Sequence, residues 1–358
     1  MTAESLKLTV YFGESDRAGK HLLSDELVGL FERQEVQAGV LMRAVEGFGI
    51  KHQLRTDRLL TLSEDLPLVA VAVDDRARIE ALVPRVSDLL GGGLITLERA
   101  RLLHGELVSA EPSEGLHEAT KLTVYLGRDE RVRGRPAYLE VVEHLRRSGL
   151  AGATVLLGVD GMMHRRRRRA RFFSRNATVP VMVVSVGTGE AVAGALAGLA
   201  GLLDDPIATL ERVRVCKRDG VLLSAPRSLP EQDDAGLGIW QKLMVYAGEQ
   251  ARHEGHPLYV QLIRRLREEG ASGATSLRGV WGFSGDHAPH GDRLFAVHRR
   301  VPVVTTLVDT PDRCRRWFEI VDDLTDEAGL VTSELVPAFQ AVAPELRRGG
   351  LKLARPHP

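Results

Sequence analysis

Basic side chains follow the first β-prone segment of the chain, where they have the chemistry to bind a phosphate. The stretch lies between a strand pattern that ends at Gly13 and a helical pattern, and two later stretches repeat the arrangement. Cationic side chains beside the free amides of a helix N-terminus favour an anion. The residues that we predict to supply this charge are Arg17, Lys20, His21, Arg131 and Arg135. A solvated connector without a ligand is the alternative.

Glycine-containing turns follow the second β-prone segment, where the backbone could approach a ligand closely. The turn formed by Gly47, Phe48 and Gly49 has counterparts at Gly161 and Gly282. Glycine permits a sharp turn or a close backbone approach, and an aromatic ring can pack against a planar base. We predict that these five residues contact the ligand. The alternative is that the glycines serve only the turn.

A run of basic residues, HRRRRRAR, begins at His164. Such a run is typical of a solvated loop or of a surface that contacts an acidic partner. The residues that we predict to contact a partner are Arg165, Arg166, Arg167 and Arg168. Nucleic acid is not the predicted partner, because RNA-binding sheets stack bases on aromatic side chains and we find no aromatic-rich strand motif of that kind.

Histidines recur late in the chain with H-x-x-H spacing, at His253 and His256 and again at His287 and His290. Paired imidazoles can bind zinc or copper. Neither pair lies in a helical pattern that would set its geometry, so these residues are candidates only and we commit to no metal site. The chain also lacks a Gly-x-Ser-x-Gly turn, a Walker phosphate loop and a metalloprotease histidine pair, so we predict no enzymatic activity and no catalytic residues.

The candidate residues recur because the chain repeats itself. The heptads KLTVYFG, KLTVYLG and KLMVYAG begin at Lys7, Lys121 and Lys242. In the same order each copy then shows a strand pattern with a proline at its start and a closing Thr-x-Glu strand pattern, which indicates a repeated structural unit. The predicted divisions are copy one (1–104), a linker (105–120), copy two (121–217), a linker (218–240), copy three (241–341) and a frayed tail (342–358).

Hydrophobic periodicity within one copy predicts an α+β fold. Each heptad alternates as a strand does, with Leu8, Val10 and Phe12 on one face. The second helix of copy one carries an apolar stripe at helical spacing. The order β-α-β-β-α-β with right-handed crossovers predicts a ferredoxin-like unit, a four-stranded antiparallel sheet with two helices on one face. Three such sheets can cover each other, so we expect an intramolecular pseudo-trimer, present as one chain or as a dimer of chains.

Bulk composition indicates a globular protein. The 358 residues are enough for two or three domains, and 44% are hydrophobic and 27% charged. The 48 basic and 48 acidic residues balance, so no global field attracts nucleic acid or membrane. The cysteines Cys216 and Cys314 cannot make a disulfide framework, and the first residues lack a signal-peptide pattern. We therefore expect a cytoplasmic location.

Copy one resembles the small, uncharacterised PII-like proteins, relatives of the PII nitrogen-signalling proteins. The segments that carry the resemblance are GESDRAGKHLLSDELV, the turn at residues 47–49 and the stretch LSEDLP that ends at Pro67. Copies two and three keep the skeleton and lose much of this polar signature. The resemblance implies a trimer of ferredoxin-like units, an adenine nucleotide (ATP, ADP or AMP) in the clefts between units, and a signalling loop after the second strand.

In some bacterial genomes such proteins are encoded beside fluoride-channel genes. The implied partner is therefore a membrane transporter or channel, or another regulated protein. The basic glycine-rich loop that holds phosphates in PII proteins is replaced here by Asp74, Asp75 and Arg76 in copy one, and its counterparts are not basic either. The phosphate contacts would have to come from elsewhere.

The sequence thus predicts a non-catalytic regulatory protein that binds a small anionic ligand between copies. We expect fewer than three ligands per chain, since the copies have diverged, and a site that combines the turn at residues 47–49 with Arg17 or Lys20. Two alternatives remain open. One is a structural scaffold with empty clefts, and the other is a metal-binding protein like the divalent-cation-tolerance trimers.

Overall fold

Three copies of one element order make up the chain. A computed structural model describes residues 4–49, 52–57, 65–105, 107, 118–167, 178–284, 290–291 and 301–355. No helix within these ranges is both long enough and apolar enough to cross a lipid bilayer.

The secondary structure is as follows. Copy one contains β1 (Ser5–Gly13), β2 (Arg17–Ala18), β3 (His21–Leu22), α1 (Leu23–Arg33), β4 (Ala38–Arg43), β5 (Glu46–Phe48), β6 (Arg55–Thr56), β7 (Pro67–Asp75), α2 (Arg76–Leu89) and β8 (Gly93–His104). Copy two contains β9 (Glu118–Gly127), β10 (Arg131–Val132), β11 (Arg135–Pro136), α3 (Ala137–Arg147), β12 (Gly152–Leu157), β13 (Asp160–Met163), β14 (Arg166–Arg167), β15 (Pro180–Gly187), α4 (Gly189–Leu202) and β16 (Ile207–Arg218), followed by β17 (Val221–Leu222). Copy three contains β18 (Trp240–Gly248), β19 (Arg252–His253), β20 (His256–Pro257), α5 (Leu258–Glu268), β21 (Ala274–Arg278), β22 (Trp281–Ser284), β23 (His290–Gly291), β24 (Pro302–Asp309), α6 (Pro311–Leu324), β25 (Leu330–Val336), β26 (Ala338–Ala343) and β27 (Leu346–Gly350).

Four long strands of each copy form an antiparallel sheet whose central strands are the first and the third. The order is β4-β7-β1-β8 in copy one, β12-β15-β9-β16 in copy two and β21-β24-β18-β25 in copy three. The prediction of a mixed, mostly antiparallel architecture repeated three times is confirmed.

Alternation along the strands explains why both faces of each sheet are buried. On β1, Leu8, Val10 and Phe12 pack under the helices of copy one, as predicted. On β7, Ala70 faces those helices while Val71 lies on the opposite face, because successive side chains of a strand point to opposite sides. The opposite faces of the three sheets meet in one apolar cluster that includes Val40, Val71, Tyr125, Met182, Val184 and Leu277.

Each copy pairs strands with both of the others. The short strand after the second long strand pairs with the second long strand of another copy: β13 with β4, β22 with β12, and β5 with β21. The fourth strands also pair between copies, β8 with β16 and β16 with β25. The third such pairing is made with β8 by β26, the strand that follows β25. Backbone hydrogen bonds therefore link copy one to two, two to three and three to one.

A ring of buried ion pairs lies where the three copies meet. Lysine comes from the first residue of each repeated heptad, and glutamate from the Thr-x-Glu strand. The ring runs in order through Lys7, Glu98, Lys242, Glu334, Lys121 and Glu211. Every lysine contacts the glutamate of its own copy and that of another, for example at 2.7 Å for Lys242–Glu334. All six side chains are at most 9% exposed.

The charges of the ring hold each other ionised despite their burial. Burial alone would raise the pKa of the Glu98 carboxyl, but attraction to Lys242 and Lys7 outweighs it and keeps that pKa well below its usual range. The pKa of Glu334 is lowered for the same reason by Lys121 and Lys242. Burial would lower the pKa of Lys242, and its glutamates raise it instead. At Lys121 burial prevails over the glutamates and the pKa is lowered.

Two predicted boundaries are wrong. Residues 118–120, assigned to a linker, belong to β9 because they pair with the end of β16. The tail from Val342 is not frayed over the described residues. It forms the hairpin of β26 and β27, and its first strand pairs with β8. The Arg348 guanidinium lies over the Trp240 ring, 5.0 Å from its centroid, which adds a contact that a free tail would lack.

Replacing one ammonium of the ring tests its contribution to stability. We expect Lys242→Met to lower the free energy of unfolding by about 3–5 kcal/mol, because it leaves three buried carboxylates with only two ammonium groups. Lys352→Met, at an exposed position, should change it by no more than about 0.5 kcal/mol. Chemical denaturation measures both, and a Lys242→Met variant as stable as the control would contradict this role of the ring.

The loss of stability at acidic pH tests how much the carboxylates of the ring contribute to stability. Because the folded pKa of Glu98 lies below the ordinary value of 4.5, its stabilisation is present above pH 4.5 and is lost as the pH falls further. Glu98→Gln should therefore lower stability at neutral pH and flatten its decline below pH 4.5. The exposed substitution Glu268→Gln should keep the wild-type slope. Denaturation midpoints across acidic pH measure this, and parallel curves for wild type and Glu98→Gln would rule it out.

Candidate functional site

Two clefts lie at boundaries between copies. Cleft 1–3 lies between copies one and three, has a volume of about 170 Å3, and is lined by residues that include Tyr11, Phe48, Arg55, Leu94, Ser272 and Phe339. Cleft 2–3 lies between copies two and three, has a volume of about 80 Å3, and is lined by residues that include Gly152, Val184, Arg218, Tyr246, Phe283 and Leu330.

The two clefts are the same place in the repeat. Tyr11 and Tyr246 are both the fifth residue of a heptad, and Phe48 and Phe283 both follow the first glycine of the turn. In both clefts one wall is the end of a first strand and the other is the start of a second strand from another copy. The repeat therefore builds one type of cleft, and its rim differs between copies.

Three of the glycines predicted to approach a ligand, Gly47, Gly161 and Gly282, lie against the backbone of a neighbouring copy. A Cβ at Gly47 would lie 2.8 Å from the Ala274 carbonyl oxygen. At Gly161 and Gly282 a Cβ would lie far inside van der Waals contact with the carbonyl oxygens of Gly39 and Ala153. These positions need glycine because the strands of two copies cross there, and a ligand is not required to explain them.

Phe48 and its counterparts anchor each copy in the next. Phe48 is 4% exposed and packs in the core of copy three. Met162 packs in the core of copy one, and Phe283 in the core of copy two. Phe48 and Gly49 nevertheless line cleft 1–3, so a ligand there would touch the edge of this anchor. Three of the predicted contact residues of the turns line a cleft, Phe48 and Gly49 in cleft 1–3 and Gly282 in cleft 2–3.

Arg55 supplies a cation to cleft 1–3 that sequence reasoning missed. The pairing of β5 with β6 places Arg55 opposite Gly47. Its guanidinium lies over Gly13, where any Cβ would collide with it, and pairs with Asp65 at 2.8 Å. Asp65 also accepts a hydrogen bond from the Ser15 amide at 2.7 Å. The heptad ends in Gly13, and the space that a side chain there would fill is taken by Arg55. This glycine is the sequence feature that could have pointed to the cation.

Two more guanidinium groups converge on the rim of cleft 1–3 at Ser272. Arg313 donates to the Ser272 hydroxyl oxygen at 3.2 Å, and Arg348 of β27 donates to it at 3.1 Å. The buried Asp309 accepts from the same hydroxyl at 3.1 Å and from Trp317 Nε1 at 3.0 Å. The rim therefore holds two positive charges against one carboxylate. The C-terminal hairpin, read as a frayed tail from sequence, supplies one of them.

The basic residues predicted to bind phosphate do not line either cleft. Arg17, Lys20 and His21 line a separate shallow groove on copy one, and Arg17 donates to the Lys20 carbonyl oxygen at 3.2 Å. Arg131 donates to the Arg128 carbonyl oxygen at 3.0 Å, and Arg135 pairs with Glu140. The loop after the first strand folds into a small hairpin in each copy, which directs these side chains away from the turn at residues 47–49.

The basic run is partly engaged within the chain. Arg167 pairs with Asp160 at 2.8 Å and also with Glu32 of copy one, and the hydrogen bond to Asp160 raises the pKa of its guanidinium. Arg165 donates to the Gln37 side chain at 3.2 Å. Arg166 is exposed. Arg168 lies outside the described residues.

Two of the candidate histidines are opposite each other in one hairpin. His253 and His256 face each other across the hairpin of β19 and β20, and His253 lies 3.7 Å from Asp326. Among the described residues, the groups of three whose ligand atoms could hold a metal lie elsewhere. His290 pairs through its backbone with Gly282, and His287 lies outside the described residues.

Comparison with known protein families divides the chain into the same three copies. The model of the family DUF190, described as "Uncharacterized ACR, COG1993", matches residues 5–102, 119–215 and 240–338. A UPF0166 protein of Aquifex aeolicus (strain VF5) is 29% identical over 92 residues, which are 26% of this chain and 86% of that protein. The relative thus has the size of one copy, and the three tandem copies predicted from the heptads are confirmed.

The crossing at Gly161 can be tested by a single methyl group. We expect Gly161→Ala to lower the free energy of unfolding by at least about 2 kcal/mol, because the new Cβ collides with backbone of copy one. Gly194→Ala is the matched control, since a Cβ there meets open space within α4. It should raise stability by about 0.5–1 kcal/mol. Chemical denaturation measures the free energy of unfolding of both variants. Equal values would show that the strands of the two copies can move apart at Gly161 without loss of stability.

Proposed function

The chain belongs to the uncharacterised DUF190 family, three copies of whose domain it carries in tandem, and from this premise we propose that it is a non-catalytic regulatory protein of the PII-like type. In this proposal each copy has a ferredoxin-like fold, and the three copies form a pseudo-trimer within one chain. The order of strands in each sheet, with the first and third strands central, supports the first point. The cyclic pairing of strands and the closed ring of ion pairs support the second.

We propose that cleft 1–3 binds an adenine nucleotide. The observation that carries the proposal is an apolar cleft with cations at its edge: Tyr11, Leu94 and Phe339 line it, and Arg55 lies beside them. Its volume of about 170 Å3 is smaller than the ~300–1,000 Å3 of common ligand pockets. It therefore suits the planar base alone, and the phosphates would lie outside it along the guanidinium groups.

The proposed phosphate contacts are the cations Arg55, Arg313 and Arg348. Each already pairs with a carboxylate, Arg55 with Asp65 and the other two with Asp309. A phosphate would take the place of these carboxylates. One guanidinium group can donate two parallel charge-assisted hydrogen bonds to a phosphate. A nucleotide bound in this way would bridge copies one and three. The nucleotide would regulate a partner protein if that partner bound the chain differently with and without the nucleotide between copies one and three.

We propose one nucleotide per chain. Cleft 2–3 has about half the volume of cleft 1–3. Arg218, which lines cleft 2–3, is beside Asp219, and the two side chains form an ion pair at 3.7 Å. Arg55 is paired in the same way, so the smaller cavity is what makes cleft 2–3 the weaker site, in keeping with the expectation that diverged copies bind fewer than three ligands.

Titration calorimetry with ATP, ADP and AMP tests the proposal. We expect one site in the wild type, and a loss of at least about tenfold in affinity in Arg55→Ala, because one charge-assisted contact contributes about 1.5–3 kcal/mol and 1.4 kcal/mol is one decade. The double variant Arg17→Ala with Lys20→Ala should bind as the wild type does. If that double variant loses affinity and Arg55→Ala does not, the site is the groove on copy one. If the wild type binds none of the three nucleotides, the chain is a scaffold without a nucleotide.

A further inference from the structure

The third boundary, between copies one and two, carries a cluster of ligand-type side chains outside the proposed nucleotide site. His104 ends β8 of copy one, while His164 and Asp205 belong to copy two. His104 Nε2 lies 3.2 Å from Asp205 Oδ1, and His164 Nδ1 lies 3.0 Å from Asp205 Oδ2. The two imidazole rings are 5.8 Å apart and tilted by 47°. One nitrogen from each ring and one carboxylate oxygen all lie within 4.8 Å of one another.

Backbone pairing holds the three residues together. His104 is opposite Ile207 where β8 meets β16, and the Gly105 amide donates to the Pro206 carbonyl oxygen at 3.1 Å. This pairing fixes His104 beside the residue that precedes Pro206. His164 lies in the two-residue turn between β13 and β14, with φ of 49°. A positive φ is uncommon for a residue with a side chain, so the hairpin imposes this conformation and limits where the ring can go.

We propose that His104, His164 and Asp205 bind one divalent transition cation of the zinc type. Imidazole nitrogen and carboxylate oxygen are ligands that zinc accepts, at bond lengths of about 2.0–2.2 Å. Two such bonds at a tetrahedral angle place the ligand atoms roughly 3.3–3.6 Å apart. The separations here are 3.2 Å from His104 Nε2 to Asp205 Oδ1 and 3.0 Å from His164 Nδ1 to Asp205 Oδ2, so each ring lies close to that spacing from one oxygen of the same carboxylate. Three protein ligands leave a position for water or for an exogenous ligand, which is the pattern of an open zinc site.

Simple ion pairing is a poorer explanation of this cluster. Asp205 is 54% exposed and His104 is 47% exposed, and exposed ion pairs contribute little to stability because water screens them. A cation with three ligands would instead connect copy one to copy two. The corresponding strand pairings at the other boundaries carry Arg218 opposite Leu330 and Ala341 opposite Leu94. Neither position offers an imidazole, so the proposal assigns one ion to each chain.

Metal titration of the untagged full chain tests the proposal. We expect calorimetry with Zn2+ to give one site per chain, and Co2+ to show the visible d–d absorption of a site with nitrogen and oxygen ligands. His104→Ala, His164→Ala and Asp205→Asn should each weaken Zn2+ binding at least about 100-fold, since loss of an outer-shell partner alone typically costs about 10–100-fold.

Two controls separate this site from other histidines. His253→Ala removes a histidine that has an aspartate 3.7 Å away and belongs to no group of three among the described residues. The double variant His287→Ala with His290→Ala removes the other H-x-x-H pair of the sequence. Both controls should bind Zn2+ as the wild type does. The proposal is overturned if the wild type binds no Zn2+, if His104→Ala binds normally, or if a control variant loses the site. Nucleotide affinity should not change in any of these variants, so failure of one proposal leaves the other intact.

Discussion

The closed ring of three lysines and three glutamates is the constraint on which the rest of the structure depends. Each charge is buried and shared between its own copy and another. A buried charge that loses a partner is costly, and a copy that separated from the others would take away one of the two partners of a lysine and of a glutamate in the copies left behind. The ring therefore commits the three copies to one arrangement, and the crossings at the glycine-containing turns follow from that arrangement.

Divergence of the copies is confined to positions that this arrangement leaves free. The lysine, the glutamate and the turn glycine recur in every copy because each meets another copy's side chain or backbone. The side chains at the edges of the boundaries differ from one boundary to the next. One boundary has a roomier apolar cleft edged by Arg55, one has a smaller cleft, and one has His104 and His164 around Asp205. Tandem fusion makes such divergence feasible, since a substitution in a homotrimer would appear at all three boundaries at once.

Some of the residues predicted from the sequence line cleft 1–3, and others lie elsewhere. The turn at residues 47–49 was selected correctly as a special backbone position, and two of its residues line cleft 1–3. Arg17 and Lys20 were combined with it because they lie in the loop after the first strand, where they could supply charge to a phosphate. In an antiparallel sheet with that strand order the loops after the first and second strands need not share an edge, and the small hairpin before each first helix carries these cations into another groove. Arg348 was missed because a chain end without a strand pattern gives no sign that it will pair.

The sequence by itself determined the repeat, the order of helices and strands, and the faces that each strand buries. These features depend on local periodicity and on recurring residues, which one chain displays in full. Only the tertiary structure decided the partners of the charged and histidine side chains. Lys121 meets Glu334 across 213 positions of the chain, and His104 meets Asp205 only because β8 and β16 pair. Long-range pairs of this kind leave no periodic signal, since their geometry is set by how whole sheets pack and not by the residues beside them.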